Sequence, residues 1–344
     1  MDSGQRLIFK IMSHNPSQIQ LEFIEKIKAT LPANISFVDS ISEVLSISTD
    51  SAYRRIRGVT SLTLEDITKL CNHFNVSFDL GNSQNEKGMV TFHYRTISDR
   101  EERMEEYLID LQNHLKHIYS FKEKLIIYAA EDVPVFHHFK YDELTAFKIF
   151  YWKKSLLDEQ MLSNVNFDFN KINKRLISIA RETYELYTRI PSTEIWTDAT
   201  LDSTVKQLDY YFESGIVNKE QAHIICTQIL QLMDHIEQMA VSSAKNKSDE
   251  GNFKMYYSDV MIGTNAVQVI LDGKNSTFLS FNTFNNLTTT NTQLSAEVEA
   301  WMKNLVKKSS LISGVNEKQR LQIFKKIKLK AEAMLKRIEA KETE

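Results

Sequence analysis

The densest group of side chains able to recognise an anion is Tyr53-Arg54-Arg55-Ile56-Arg57, three guanidinium groups within four residues. Arginine offers a planar donor fork to phosphate or to a guanine edge, and nearby hydroxyls such as Ser51 and Tyr53 can reach backbone oxygens. His137-His138 is the pair an enzymatic reading would turn to. Adjacent histidines point in different directions, Glu131 and Asp132 stand at no metal-ligand spacing, and neither a His-Glu-x-x-His nor a Cys-x-x-Cys companion occurs. There is also no phosphate-cradling glycine loop, nucleophile elbow or carboxylate pair. The expectation is therefore a protein that is not an enzyme, with no catalytic residues, no metal and no cofactor. Cys71 and Cys226 both fall in apolar helical patterns and read as reduced core thiols.

The arginines must be placed by the elements around them. Phe37, Ile41, Val44 and Leu45 recur at the spacing of one helix face, which predicts a helix over 37–45. Ser46-Ile47-Ser48 is long enough only to turn the chain, and Ser48 or Thr49 can cap a second helix over 50–57. Ala52 and Ile56 form its inward stripe; Asp50, Ser51, Tyr53, Arg54 and Arg57 face outward, with Arg55 at the edge. Gly58 suits a left-handed helix end. A third helix starting at Thr63 or Leu64 carries Leu64, Ile67, Leu70, Cys71 and Phe74 inward. Upstream, Pro16-Ser17 opens a helix through Ile19, Phe23, Ile24, Ile27 and Leu31, ended by Pro32. This is a helix-turn-helix reading of residues 36–80.

The pattern Leu45, Ile47, Ser48, Ala52, Arg54, Gly58, Leu62, Leu64, Ile67, Leu70, Phe74, Val76 and Phe78 resembles the Cro/CI-type (XRE-like) DNA-binding domains of bacterial regulators. The resemblance implies that the second helix of the motif enters the major groove of double-stranded DNA. By position it assigns Thr49, Asp50, Tyr53 and Arg54 to base edges, and Ser51, Arg55 and Arg57 to phosphates.

With 344 residues the chain has room for two or three domains. Nine glycines and four prolines are few for that length and favour long helices. The net charge of −3 selects no partner class, and residues 1–80 balance 8 basic against 9 acidic groups. No apolar run nears a membrane span and no signal-peptide pattern is seen, so a cytoplasmic chain without a membrane partner is expected. Residues 81–97 read as a linker, with a short extended piece at 89–94. A Ser98/Glu101 capping box then opens a charged helix to about Lys124. Met104, Leu108, Leu111, Leu115, Ile118 and Leu125 follow a heptad seam along it, open equally to a homodimeric coiled coil and to packing on its own domain. Residues 125–240 read as helical and aromatic, a bundle or helical hairpins, with 187–199 as an interhelix loop. Beyond 250 the period becomes two, and Asp272-Gly273 between apolar runs signals a hairpin in a small antiparallel sheet. Helices resume at Ala296–Lys308 and from Glu317 to about Lys341. Residues 303–341 hold 12 Lys and Arg against 3 Glu, which reads as a solvated helix face.

Residues 121–130, 278–283 and 308–315 also resemble the effector portion of bacterial regulators that join such an N-terminal domain to a helical region and a short C-terminal sheet. The expected fold is mainly α: a helix-turn-helix domain over 1–80, a helical dimerisation and effector region over 98–250, and a small antiparallel sheet with basic helices over 251–344. The expected function is a sequence-specific DNA-binding transcriptional regulator, a homodimer with an unidentified small-molecule or protein effector. The alternative is a helical interaction scaffold in which the motif is only structural.

Overall fold

The computed structural model describes residues 16–32, 35–74, 76–78, 90–94, 103–156, 162, 165–281 and 285–341. The chain divides into two compact units, Met1–His93 and Tyr94–Glu344.

In the first unit, α1 (Pro16–Lys28), α2 (Phe37–Leu45), α3 (Thr49–Ile56) and α4 (Leu64–Phe74) enclose a core of Phe23, Ile27, Ile41, Leu45, Ala52, Leu70 and Val76. Polar side chains fix each boundary. Ser36 accepts from the Asp39 N–H to start α2, and Ser48 accepts from the Ser51 N–H to start α3. Thr63 and Asp66 cap α4 reciprocally, each accepting the other's backbone N–H at 3.0 Å. Gly58 takes φ +71°, which releases the chain from α3. Leu64, expected to face inward, is instead exposed, because α4 turns its first residue outward.

The second unit corrects the expected fold class. Its helices surround one mixed sheet of seven strands in the order β6-β5-β4-β1-β2-β3-β7, not a small antiparallel sheet beside a helical bundle. The strands are β1 (Lys124–Ala129), β2 (Ser192–Trp196), β3 (Phe253–Tyr257), β4 (Ala266–Leu271), β5 (Lys274–Ser280), β6 (Asn286–Thr289) and β7 (Ser310–Leu311). β1, β2 and β3 run parallel, and β4 to β7 pair antiparallel to their neighbours. Parallel neighbours need long crossovers. Between β1 and β2 these are α6 (Val135–His138), α7 (Asp142–Tyr151) and α8 (Lys174–Thr188); between β2 and β3 they are α9 (Asp202–Glu213) and α10 (Lys219–Ser242). Thus β1 and β2 lie within the stretch expected to be helical, and the expected interhelix loop at 187–199 contains a strand. A boundary at 250 runs between adjacent strands of the same sheet.

The helix expected to run to about Lys124 is α5 (Arg103–Ser120), and Leu125 belongs to β1. Along α5, Met104, Leu108, Leu115 and Ile118 are buried in the unit's own core. The Ser98/Glu101 capping box and residues 81–89 and 95–97 of the expected linker lie outside the described residues. The Asp272-Gly273 hairpin joins β4 to β5, with both turn residues at positive φ.

Side chains alternate across the sheet. Ile126, Tyr128, Trp196, Phe253, Met255 and Val269 enter the large core, together with α5, α7, α8, α10 and α12 (Glu317–Ala340). Ala129, Ile195 and Ala266 face the other way, onto Met302 and Leu305 of α11 (Thr292–Lys307). The cations of α12 meet acidic groups of this unit: Lys326, Lys330 and Arg337 pair with Asp198, Asp202 and Asp209, and Lys328 with Asp234 and Glu237. No helix among the described residues is long and apolar enough to cross a membrane.

Candidate nucleic-acid interface

Helix α3 stands on the first unit through Ala52, which has no exposed surface, and Ile56. Its position is set from behind by Gln20 of α1. The Gln20 amide donates to the carbonyls of Arg55 at 2.7 Å and Thr60 at 2.9 Å, and its Oε1 accepts from the Leu62 N–H at 2.9 Å. One side chain therefore joins α1 to the end of α3 and to the loop before α4.

The outward face carries Thr49, Asp50, Tyr53, Arg54 and Arg57, all exposed. The Arg57 guanidinium lies 5.1 Å from the Tyr53 ring centroid, a cation–π contact that narrows the range of both side chains. Asp50 in the first turn complements the positive end of the helix dipole. Ser51 is half-buried, and its hydroxyl is 3.1 Å from Ser48 Oγ. Arg55 is turned inward. Its Nε bonds Asp66 at 3.2 Å, with the two side chains only 19% and 13% exposed. Burial alone would raise the Asp66 carboxyl, but the Thr63 N–H and the Arg55 guanidinium outweigh it and hold the group below its ordinary value. Of the seven residues assigned to DNA, five share the open face, Ser51 sits at its rim, and Arg55 braces α3 against α4.

A second constellation lies within the other unit, behind the parallel strands. The Glu194 carboxylate on β2 is wholly buried and accepts from His137 Nε2 at 2.9 Å, Tyr187 Oη at 2.6 Å and Trp196 Nε1 at 2.8 Å. An ionised carboxylate only accepts, so His137 carries its proton on Nε2. Burial would raise Glu194; the histidine, the tyrosine hydrogen bond and Lys245 more than offset it, and the carboxyl is held below its ordinary value. Lys245 donates to the Tyr187 carbonyl at 2.8 Å and lies 3.8 Å from that ring's centroid. Burial depresses its ammonium to about 7, against an opposing pull from Glu194.

His138 takes a different partner, with Nε2 3.0 Å from Thr204 Oγ1. Lys148 Nζ donates to Gln207 at 2.8 Å and to the same threonine at 3.2 Å. Burial, with Lys148 and His137 beside it, pushes His138 well below the usual histidine range. His137 thus meets a carboxylate, but neither side chain has exposed surface, and the pair is closed to solvent.

The sequence signalled the histidines and missed their partners. Glu194 was detectable only as an acidic residue inside a short run ending in Ile195-Trp196, where a buried strand needs every polar atom satisfied. Among the described residues no group of three His, Cys, Asp or Glu side chains converges as metal ligands would. Comparison with protein-family models, curated proteins and solved structures finds no match for this chain, so the functional reading rests on the geometry of α3.

Proposed function

We propose that the chain is a sequence-specific DNA-binding transcriptional regulator that reads the major groove through α3. The observation that carries this reading is the outward face of that eight-residue helix and its C-cap, where Thr49, Asp50, Tyr53, Arg54 and the capping Arg57 are all exposed behind a tight turn. Arg54 and Arg57 supply forks for guanine or phosphate, and Tyr53 holds Arg57 in a limited range. Asp50 would be repelled by phosphate and fits a base edge that donates, such as the cytosine amino group. Two copies on a (pseudo)palindromic operator would set their α3 helices about one duplex turn apart, roughly 34 Å. Pairing of copies would use a surface other than the α5 seam, which is buried within its own unit. The second unit would carry the effector response.

The test is binding to a pool of random duplexes over a salt series, comparing the wild type with Arg54→Ala plus Arg57→Ala. Selective binding is expected, and each lost phosphate contact should reduce the slope of log K against log salt by about one. A folded wild type that enriches no sequence, or a double variant that binds like the wild type, would overturn the reading.

A further inference from the structure

The sheet of the second unit ends on two edges that differ in their protection. β7 is two residues long and follows the exposed Lys307 and Lys308; short length and lysine both keep an edge from pairing. β6 carries no such guard. Residues 275–296, which include most of β5, all of β6 and the start of α11, hold no charged residue and no proline. Residues 286–290 include three threonines, a residue type that suits strands.

The ladder between β5 and β6 fixes which backbone groups are open. The Phe281 N–H donates to the Asn285 carbonyl at 2.8 Å, so bonded pairs fall at 285, 287 and 289, and the backbone groups of Asn286, Thr288 and Thr290 turn away from β5. The Asn286 N–H is held by Asn285 Oδ1 at 2.9 Å. The Asn286 carbonyl, both backbone groups of Thr288 and the Thr290 N–H meet no partner among the described residues. These four groups match a second copy of themselves. Two antiparallel β6 strands about a two-fold axis at Thr288 exchange both Thr288 bonds, and each Thr290 N–H meets the other copy's Asn286 carbonyl. The Asn286 N–H, already satisfied, is not needed. Thr288 then lies opposite Thr288, a pair that stabilises adjacent strands. Leu287 and Phe281, the latter 63% exposed, alternate onto the opposite face with Leu279 and place apolar surface beside the joint.

We propose that β6 is the docking edge for a second copy of this chain, joining two seven-stranded sheets across a two-fold axis at Thr288. A foreign strand would fill the same hydrogen bonds, but an edge without charge has nothing to favour an unlike partner, and its open groups complement themselves. An edge this short buries less than the roughly 1,600 Å² of a standard interface, so the pairing is reversible. The inference rests on the homodimer part of the DNA-binding reading for its use, since two half-sites on one operator would reinforce a weak pair.

The test is sedimentation velocity of the full chain without DNA, from about 1 µM to about 200 µM. The wild type should pass reversibly from monomer to dimer. Thr288→Lys sets like charges opposite each other and should weaken association by at least about tenfold, as should Thr288→Glu, with little change in melting temperature at a dilute, monomeric concentration. An equimolar mixture of the two variants should pair at least as well as the wild type, which also shows that both are folded. A wild type that stays monomeric leaves the edge to a foreign strand and overturns the proposal. A Thr288→Lys dimer as strong as the wild type's, or variants that fail to pair when mixed, would overturn it too. Arg54→Ala plus Arg57→Ala should dimerise like the wild type, which separates a failure here from a failure of the DNA-binding reading.

Discussion

At the scale of single residues, arginines that look equivalent in the sequence have different tasks. Arg54 and Arg57 are solvent-facing, whereas Arg55 is committed to Asp66. Arg55→Ala should therefore act on stability, costing about 1–3 kcal/mol in urea unfolding of the first unit, because it strips a partly buried carboxylate of its charged partner. The salt slope of DNA binding should barely change. Asp66, with its lowered carboxyl, contributes stability that is complete above the unfolded value near 4 and is lost as pH falls through the folded value.

Lys245 shifts stability with pH in the same direction, in a higher window. Its folded ammonium titrates near 7 and its unfolded one near 10.5, so the unfolded chain binds more protons between those values and stability rises with pH there. Melting temperatures from pH 7 to 9 should rise more steeply for the wild type than for Lys245→Met. Parallel curves would show that the ammonium is not depressed.

At the scale of elements, the helix-turn-helix was readable because its signals are local. Apolar spacing, Ser48 as a cap and Gly58 as an end lie within a few residues of what they specify, and the helix expected over 37–45 is found over those residues. The brace from Gln20 was not readable, since it joins residues 35 to 42 positions apart. Gln20→Ala should cost about 1–3 kcal/mol by leaving buried groups without partners, and should weaken DNA binding although residue 20 lies outside α3. β2 was missed for a related reason. Its five residues are all buried, so neither alternation nor a polar face marks them. Helix α5 had a heptad spacing that fits either a second copy or its own core, and the spacing cannot distinguish the two. Leu108→Ala should cost about 2–5 kcal/mol of stability and leave the mass by light scattering unchanged, because Leu108 is buried within its own unit.

At the scale of the molecule, the chain is two compact units, the larger built on a mixed seven-stranded sheet. The basic stretch over 303–341, read as a solvated face, finds counter-ions on α9 and α10, which no count of lysines reveals. The buried network likewise joins residues far apart in the chain: Glu194 meets His137 from across a crossover. By itself the sequence determined the elements whose causes are local: the four helices of the first unit, the β4–β5 hairpin at Asp272-Gly273, and the outward placing of Asp50, Tyr53, Arg54 and Arg57, though not the half-burial of Ser51 or the inward turn of Arg55. The tertiary structure alone decided the order of the sheet, the partners of the buried charges and the use of the α5 seam. Strand pairing and burial depend on which distant segments meet, and local spacing holds no record of that.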